Sequence, residues 1–175
     1  MSRCYRDGGK VLLCGNGGSA ADCEHWSAEL NKGFRKKRPL PEKWRKKLPP
    51  LLAGSLQQAL PAIPLTVFAA LNTAVANDIS AELVFAQGVW ALGAPGDILV
   101  GISTSGGARN VCAAVQAAEA KGLTTIGLTG GQGGRLGELA SIVIRAPAGE
   151  VHHIQQYHLP IYHCLCLMLE DEFFA

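Results

Sequence analysis

The chain has 175 residues and a formal net charge of only +2, with 48% hydrophobic, 17% charged and 6% aromatic residues. This excludes disordered and low-complexity classes, and a chain of this length buries roughly 70% of its unfolded surface, enough for one core without staples. The apolar runs are short and broken by Gly, Pro or polar residues, so no membrane span is expected, and the opening MSRCYRDGGK has no apolar centre for a secretory signal. The six cysteines (Cys4, Cys14, Cys23, Cys112, Cys164 and Cys166) form no CxxC pair. Most lie in apolar runs and read as free, buried thiols of a reducing cytoplasm.

In chain order, strands and helices alternate. Val11–Cys14 is a short apolar run ending at Gly15 and predicts a buried strand. Helix formers follow from Ser19 to Leu30, with Ser19 as N-cap or first-turn residue. After a basic stretch, residues 51–60 (LLAGSLQQAL) predict a short helix, and Ala62–Val67 a second strand whose Pro64 suits a sheet edge. Glu82–Leu92 predicts a helix, Asp97–Ile102 a third strand and Ala108–Ala120 a helix. Leu123–Leu128 predicts a fourth strand, Ile142–Ile144 a fifth, and His152–Phe173 a terminal helix. Strands separated by helices imply a single α/β domain over residues 1–175: a doubly wound, flavodoxin-like, five-stranded parallel sheet with helices on both faces.

The charge is unevenly spread. Nine of the sixteen basic residues fall between Lys32 and Lys47, where Glu42 is the only acid. Such a run is either a nucleic-acid or phosphate patch or a solvated, mobile connection. Pro39, Pro41, Pro49 and Pro50 favour the connection, and with only Phe34 and Trp44 nearby there is little aromatic material for stacking on single strands. We therefore expect a basic loop insertion over about residues 32–57 and no nucleic-acid partner.

In a doubly wound sheet, ligands bind where strands end and the order reverses. Three small-residue loops are expected there: Gly15-Asn16-Gly17-Gly18-Ser19, Ser103-Thr104-Ser105-Gly106-Gly107 and Thr129–Gly134. The first two run from strand into helix, and free N–H groups at a helix N-terminus suit phosphate. No Walker lysine follows and neither loop fits GxGxxG, so a nucleotide is not favoured.

The block GNGGSAAD (15–22) with His25 and Glu29, the block GDILVGISTSG (96–106), and the spacing from Ile154-Gln155 to His163 together resemble the sugar isomerase (SIS) superfamily, and within it the phosphoheptose isomerases. The resemblance spans nearly the whole chain. It implies an aldose–ketose isomerisation of sedoheptulose 7-phosphate to D-glycero-D-manno-heptose 7-phosphate. It implies that Ser103, Thr104 and Ser105 hold the phosphate, that Asn16, Gly17, Gly18, Ser19 and Gln155 line the sugar site, and that Asp78 approaches the sugar. It implies that Glu29 and His163 exchange protons with substrate, and that a zinc ion, where one is bound, is held by His25, Glu29, Gln155 and His163. It further implies N-terminal helices ahead of the first strand, which a first strand at residue 11 leaves no room for, and a homotetramer with sites at subunit interfaces. An alternative within the superfamily is a non-enzymatic module that binds a sugar phosphate or a protein.

The residues fit the isomerase chemistry on their own terms. Moving a carbonyl by one carbon needs a base for a C–H proton and an acid for oxygen, through an enediol, and a carboxylate with an imidazole supplies both. His25 and Glu29 are four apart and share a helix face. Gln155 and His163, eight apart, are expected to point into one cavity. His25, Glu29, Gln155 and His163 form an N/O donor set that zinc accepts. Gly107-Ala108 and His152-His153 stand where the family usually has Asn-Ser and Asp-Arg. Pro160 is expected to kink or restart the terminal helix between Gln155 and His163.

Overall fold

Period-two alternation fixes which side chains of the central strands face which helices. In β1 (Val11–Gly15), Val11 and Leu13 point to one side while Leu12 and Cys14 point to the other. In β3 (Ile98–Ser103), Ile98, Val100 and Ile102 share the first side and Leu99 the second. Both faces are apolar, as a parallel sheet covered on both sides requires. A computed structural model, describing residues 1–174, shows the resulting architecture. The five strands, β1, β2 (Ala62–Pro64), β3, β4 (Thr124–Thr129) and β5 (Ile142–Arg145), pair in the parallel order β2-β1-β3-β4-β5. That is the expected doubly wound order, reversing between β1 and β3.

On one face lie α1 (Ser2–Arg6), α2 (Gly18–Asn31) and α9 (Val151–Phe173), whose Cys4, Trp26, Leu30, Tyr162, Cys166 and Leu169 pack on the strands. On the other lie α5 (Ala69–Val75), α6 (Val84–Leu92), α7 (Arg109–Ala120) and α8 (Gly134–Leu139), with Phe85, Val89, Val111, Val115 and Leu136 inside. Two short helices, α3 (Glu42–Arg45) and α4 (Pro50–Ser55), occupy the basic insertion.

Several sequence expectations need correction. The second strand stops at Pro64, and Leu65–Val67 turns into a 3₁₀ segment. Pro64 does lie on the edge strand, where its missing N–H costs no ladder bond. The helix expected over 51–60 covers only Pro50–Ser55; beyond it, Gln57 forms an isolated antiparallel bridge to Pro39. Helices α1, α3, α5 and α8 were not foreseen; all are seven residues or shorter and give too few turns for a periodic pattern. The cap of α2 is Gly17, at φ 55°, with Ser19 buried in the first turn. Helix α9 neither stops nor restarts at Pro160 but runs through it. Cys164 is exposed, unlike the other five thiols, which are buried.

The basic stretch is no uniform solvated connection. Arg38 has no exposed surface, and its Nε donates to Glu170 Oε1 on α9 at 2.9 Å, with Glu170 only 1% exposed. Arg38 also donates to the carbonyls of Leu30 and Glu29 at the end of α2. The Glu170 carboxylate additionally accepts the backbone N–H groups of Phe34, Arg35 and Lys36 at 2.8 to 3.0 Å. Burying such a pair costs several kcal/mol per ion unless the remaining donors and acceptors are met, and here they are. Burial alone would raise the Glu170 carboxyl, but these three backbone N–H groups and Arg38 outweigh it and hold it below the usual range. Asp97, almost fully buried, is lowered in the same way: its burial is outweighed by Lys10, through both ammonium and backbone N–H, and by the Ala94 N–H.

Two outcomes are expected. Carboxylates depressed by folding stabilise the fold above their unfolded values, near pH 4. That contribution should be lost as pH falls through the lower folded values of Glu170 and Asp97. Glu170→Gln should flatten this acid limb in urea titrations and cost about 3 to 5 kcal/mol at neutral pH, as breaking one side of a buried pair does. Ellman's reagent should find one fast thiol, Cys164, in the native protein and all six cysteines in denaturant.

Candidate functional site

The carboxyl edge of the sheet at β1 and β3 feeds two helices whose first turns carry no side-chain cap: α2, entered from Gly17, and α7, entered from Ala108. In these first turns Ser19 and Ala20 N–H donate to the Asn16 and Gly17 carbonyls and Val111 N–H donates to Asn110 Oδ1, so the positive dipole ends and the loop hydroxyls are what favour an anion. Asn16, Ser19, Ser103, Thr104 and Ser105 line one cavity of about 190 Å³ between them. The two loops are joined by reciprocal amide bonds, Asn16 Nδ2 to Asn110 Oδ1 at 2.8 Å and Asn110 Nδ2 to Asn16 Oδ1 at 2.9 Å. Asn110 was not singled out from sequence, because nothing marks an exposed asparagine in the first turn of a helix as a loop clasp.

A backbone approach holds the hydroxyl loop in place. Gly106, at φ 68°, lies against Gly133 and Gly134 of the glycine-rich loop after β4, and a Cβ there would fall inside contact distance of the Gly133 carbonyl oxygen. Leu136 N–H donates to Gly106 O at 2.8 Å and Gly130 N–H to Thr104 O at 2.9 Å. The third small-residue loop thus braces the second, and with it Thr104, Ser105 and Gly130 line a neighbouring cavity of about 230 Å³.

The second half of the site lies between α2 and α9. Trp26 stacks on Tyr162 with ring centroids 5.5 Å apart and planes 17° apart. This places His25 Nδ1 2.8 Å from the Tyr162 hydroxyl and the His25 ring 5.2 Å from that of His163. His25 Nε2 lies 3.2 Å from Glu29 Oε1. With Nε2–H donating to Glu29, Nδ1 accepts from Tyr162, whose oxygen lies 3.5 Å from Asp22 Oδ1. The Glu29 carboxyl is raised by partial burial but lowered more by Lys32, at 2.9 Å, and by His25, so it stays below the usual range. Burial raises Asp22, against the pull of His158, Tyr162 and His25. Four buried polar atoms lack any hydrogen-bond partner here: His163 Nε2, Asp22 Oδ2, His158 Nδ1 and Trp26 Nε1.

The structure therefore brings the sequence-derived residues into two groups. Asn16, Ser19 and Ser103–Ser105 share one cavity. His25 and Gln155 share another of about 520 Å³, with Asp22, His152 and Tyr162. Gln155 joins the groups, because its amide packs against Gly18 at the start of α2, where a Cβ would displace it. His163 touches His25 and is not among the residues lining either of these two cavities. Asp78 is exposed in the π-helical turn of Ala76–Ser80, takes a bond from Asn77, and lines neither of these two cavities. Among the described residues, no three His, Cys, Asp or Glu side chains converge as a metal cage; His25 and Glu29 are paired and His163 stands beside them. The largest cavity, about 580 Å³ between residues 147–150 and His153, Gln156, Tyr157 and Pro160, holds none of the candidate residues. Tyr162 was missed as the partner of His25, and Asp22 as the partner of Tyr162; the i,i+3 spacing that puts Asp22 and His25 on one helix face is the signal that could have found Asp22.

Comparison with known proteins decides the family. The phosphoheptose isomerase of Rhodospirillum rubrum is 42% identical over 166 residues, covering 95% of this chain and 78% of that protein. The chain belongs to the phosphoheptose isomerase family. That of Halorhodospira halophila is also 42% identical, over all of this chain and 80% of its own length. A SIS domain model matches residues 52–130. The solved phosphoheptose isomerase of Francisella tularensis superposes with a TM-score of 0.82 at 36% identity, covering 98% of this chain and 81% of that one. The Neisseria gonorrhoeae enzyme superposes at 0.80 and 34%, covering 97% and 80%.

The braced loop gives a direct test. Gly106→Ala should destabilise the protein by at least about 2 kcal/mol, because it combines a left-handed backbone with a backbone clash. Urea unfolding with an unchanged m-value measures it; wild-type stability in this variant would show that the loop contact is slack.

Proposed function

We propose that this chain is an aldose–ketose isomerase that interconverts sedoheptulose 7-phosphate and D-glycero-D-manno-heptose 7-phosphate. The observation that carries the reading is the placement of Glu29 and His163 on two packed helices, both against His25, next to an anion cavity at two uncapped helix N-termini. The phosphate sits in the Ser103–Ser105 loop, with Asn16, Gly17, Gly18 and Ser19 along the sugar and Gln155 closing over them. Glu29 takes the proton from the carbon beside the carbonyl. His163 Nε2, buried and without a partner in the fold, gives a proton to the oxygen; the enediol collapses when the same proton movements run in reverse at the neighbouring carbon. A module that only bound sugar phosphate would need neither group.

The donors His25 Nε2, Glu29, Gln155 and His163 Nε2 suit zinc in chemistry, and the partnerless His163 Nε2 is the atom such an ion would satisfy. Tyr162 serves His25 in either tautomer, since its oxygen both donates and accepts. A bound ion would polarise the substrate's oxygens. One nitrogen cannot ligate and protonate at once, so His163 does one or the other in a given state.

The protein works as a homo-oligomer, which we take to be a tetramer. Exposed Trp90, Ile79 and Met168, at 59%, 62% and 62%, favour assembly, and Asp78 depends on it to reach a sugar site. Among the described residues no helix is long and apolar enough to cross a membrane, and unpaired thiols favour the cytoplasm.

Incubation with sedoheptulose 7-phosphate, with and without chelator, tests the reading. Glu29→Gln and His163→Gln should each lower turnover about 10²- to 10⁴-fold while sugar-phosphate binding persists. Ser105→Asp should raise KM strongly with little change in fold. Near-normal turnover in Glu29→Gln would refute the mechanism, and a wild type that binds but does not turn over would make the chain a binding module. A chelator that leaves both activity and stability unchanged would remove the metal from the account.

A further inference from the structure

The two groups assigned to proton transfer lie on different helices, Glu29 in the last turn of α2 and His163 in the middle of α9. Their separation therefore depends on what ties those helices together at that end. Trp26, about one turn before Glu29, packs on Tyr162, the residue before His163. Past Asn31 the chain leaves α2 and crosses α9, and there the contacts are polar and buried. Arg38 donates through Nη1 to Leu30 O at 2.8 Å and through Nη2 to Glu29 O at 3.4 Å, so it caps the carbonyl of Glu29 itself. Its Nε donates to Glu170. Glu170 is seven residues, two turns, beyond His163 and so on the same face of α9. The Phe174 ring lies 4.7 Å from the Arg38 guanidinium carbon and covers it.

Glu170 also takes the N–H groups of Phe34, Arg35 and Lys36, which lays this segment across α9. The result is that Phe34 sits against His163, with ring centroids 5.0 Å apart. A planar guanidinium is the only cation that reaches two carbonyls and a carboxylate in fixed directions, so a lysine here could not make the same set of bonds.

We infer that Arg38 and Glu170 are positioning residues for the isomerase reaction: they clamp the end of α2 to α9, which fixes Glu29 and His163 on either side of His25 and seats Phe34 on the His163 ring. The inference rests on the functional reading above. Of the other basic side chains of the run, those of Lys32 and Lys36 pair with Glu29 and Asp171, and Arg35 joins the clamp through its backbone N–H alone.

The test is steady-state kinetics of Arg38→Lys and Glu170→Gln with sedoheptulose 7-phosphate, corrected for the folded fraction by near-ultraviolet circular dichroism. The clamp touches no residue of the Ser103–Ser105 cavity, so KM should stay within about twofold. Displacement of a proton-transfer pair should lower kcat by about ten- to a hundredfold. A lowered melting temperature with kcat per folded molecule unchanged would mean a purely structural pair and overturn the inference. Should both variants fail to fold, Phe34 decides, since its side chain contributes only apolar contact. Phe34→Ala should lower kcat about tenfold at constant KM, and Phe34→Leu should restore most of it; full activity in Phe34→Ala overturns the inference. Amide exchange gives a readout without turnover: protection at Phe34, Arg35 and the last turn of α2 should be lost in Glu170→Gln while the strands stay protected. A wild type with no isomerase activity refutes the functional reading. In that case lost protection still upholds the tie between the helices, and unchanged protection refutes the tie as well.

Discussion

The register of α2 against α9 is the constraint on which the candidate site depends, and one aromatic stack sets it. Trp26 and Tyr162 lie nearly parallel and fully buried, so neither helix can slide by a residue without opening a void the size of an indole. A helix turns 100° per residue, and a one-residue slip would carry His25 and Glu29 away from α9 altogether. With the register fixed, His25 meets the Tyr162 hydroxyl and the His163 ring together. An edge-on ring contact and a hydroxyl–imidazole bond both follow from that single packing choice, whereas the His25–Glu29 bond is set within α2 by its i,i+4 spacing.

The two halves of the site are built by different physics. The anion half is backbone: two uncapped helix starts, small side chains, and glycines where two loops touch with no room for a Cβ. It needs no charged side chain, since helix N-termini supply partial positive charge already aimed at the ligand. The proton half is side chain: a carboxylate, two imidazoles and a phenol on the faces of two long helices. Gln155 spans them, with its amide on Gly18 and its helix shared with His163. A rigid anion seat beside a side-chain cluster holds the substrate by its unreactive end, which leaves the reacting carbons for groups that exchange protons.

How much of this was legible in the sequence depended on the range of the signal. The sheet order followed from alternation of apolar strands and helices, because burial on both faces forces that pattern into each strand. The loop residues were legible because glycine and serine after a strand have few other uses. The pairing of His25 with Glu29 is a local spacing and was read directly. What was missed is long-range or short. Tyr162 and Asn110 find their partners more than ninety residues away, and no local pattern encodes such a meeting. Arg38 was hidden by company, as one of nine bases in a run that composition marks as solvated. Pro160 misled for a related reason. Its ring removes a hydrogen bond to the Gln156 carbonyl, a loss of about 3 kcal/mol in an isolated helix. Gln156 is exposed and lines two cavities, so the break falls on the open side of the helix, and the helix continues.

The buried pair also explains why the basic stretch can be long without loosening the site. A chain leaving α2 at Asn31 and returning at β2 spans some thirty residues, and closing such a loop costs entropy that grows only slowly with length. The danger is local: the last turn of α2 would fray, and Glu29 sits in that turn. Arg38 fastens the chain seven residues past the helix end, on the carbonyls of Leu30 and Glu29, the first of which also takes the Leu60 N–H. Everything from Pro39 to Leu56 then lies beyond the fastening, and its exposed lysines and Trp44 can vary in conformation without moving Glu29. A hydrophobic anchor at position 38 could fill the same volume, but it would leave the buried Glu170 carboxylate without its counter-charge and take one donor from each of two helix-end carbonyls, which is the costlier arrangement.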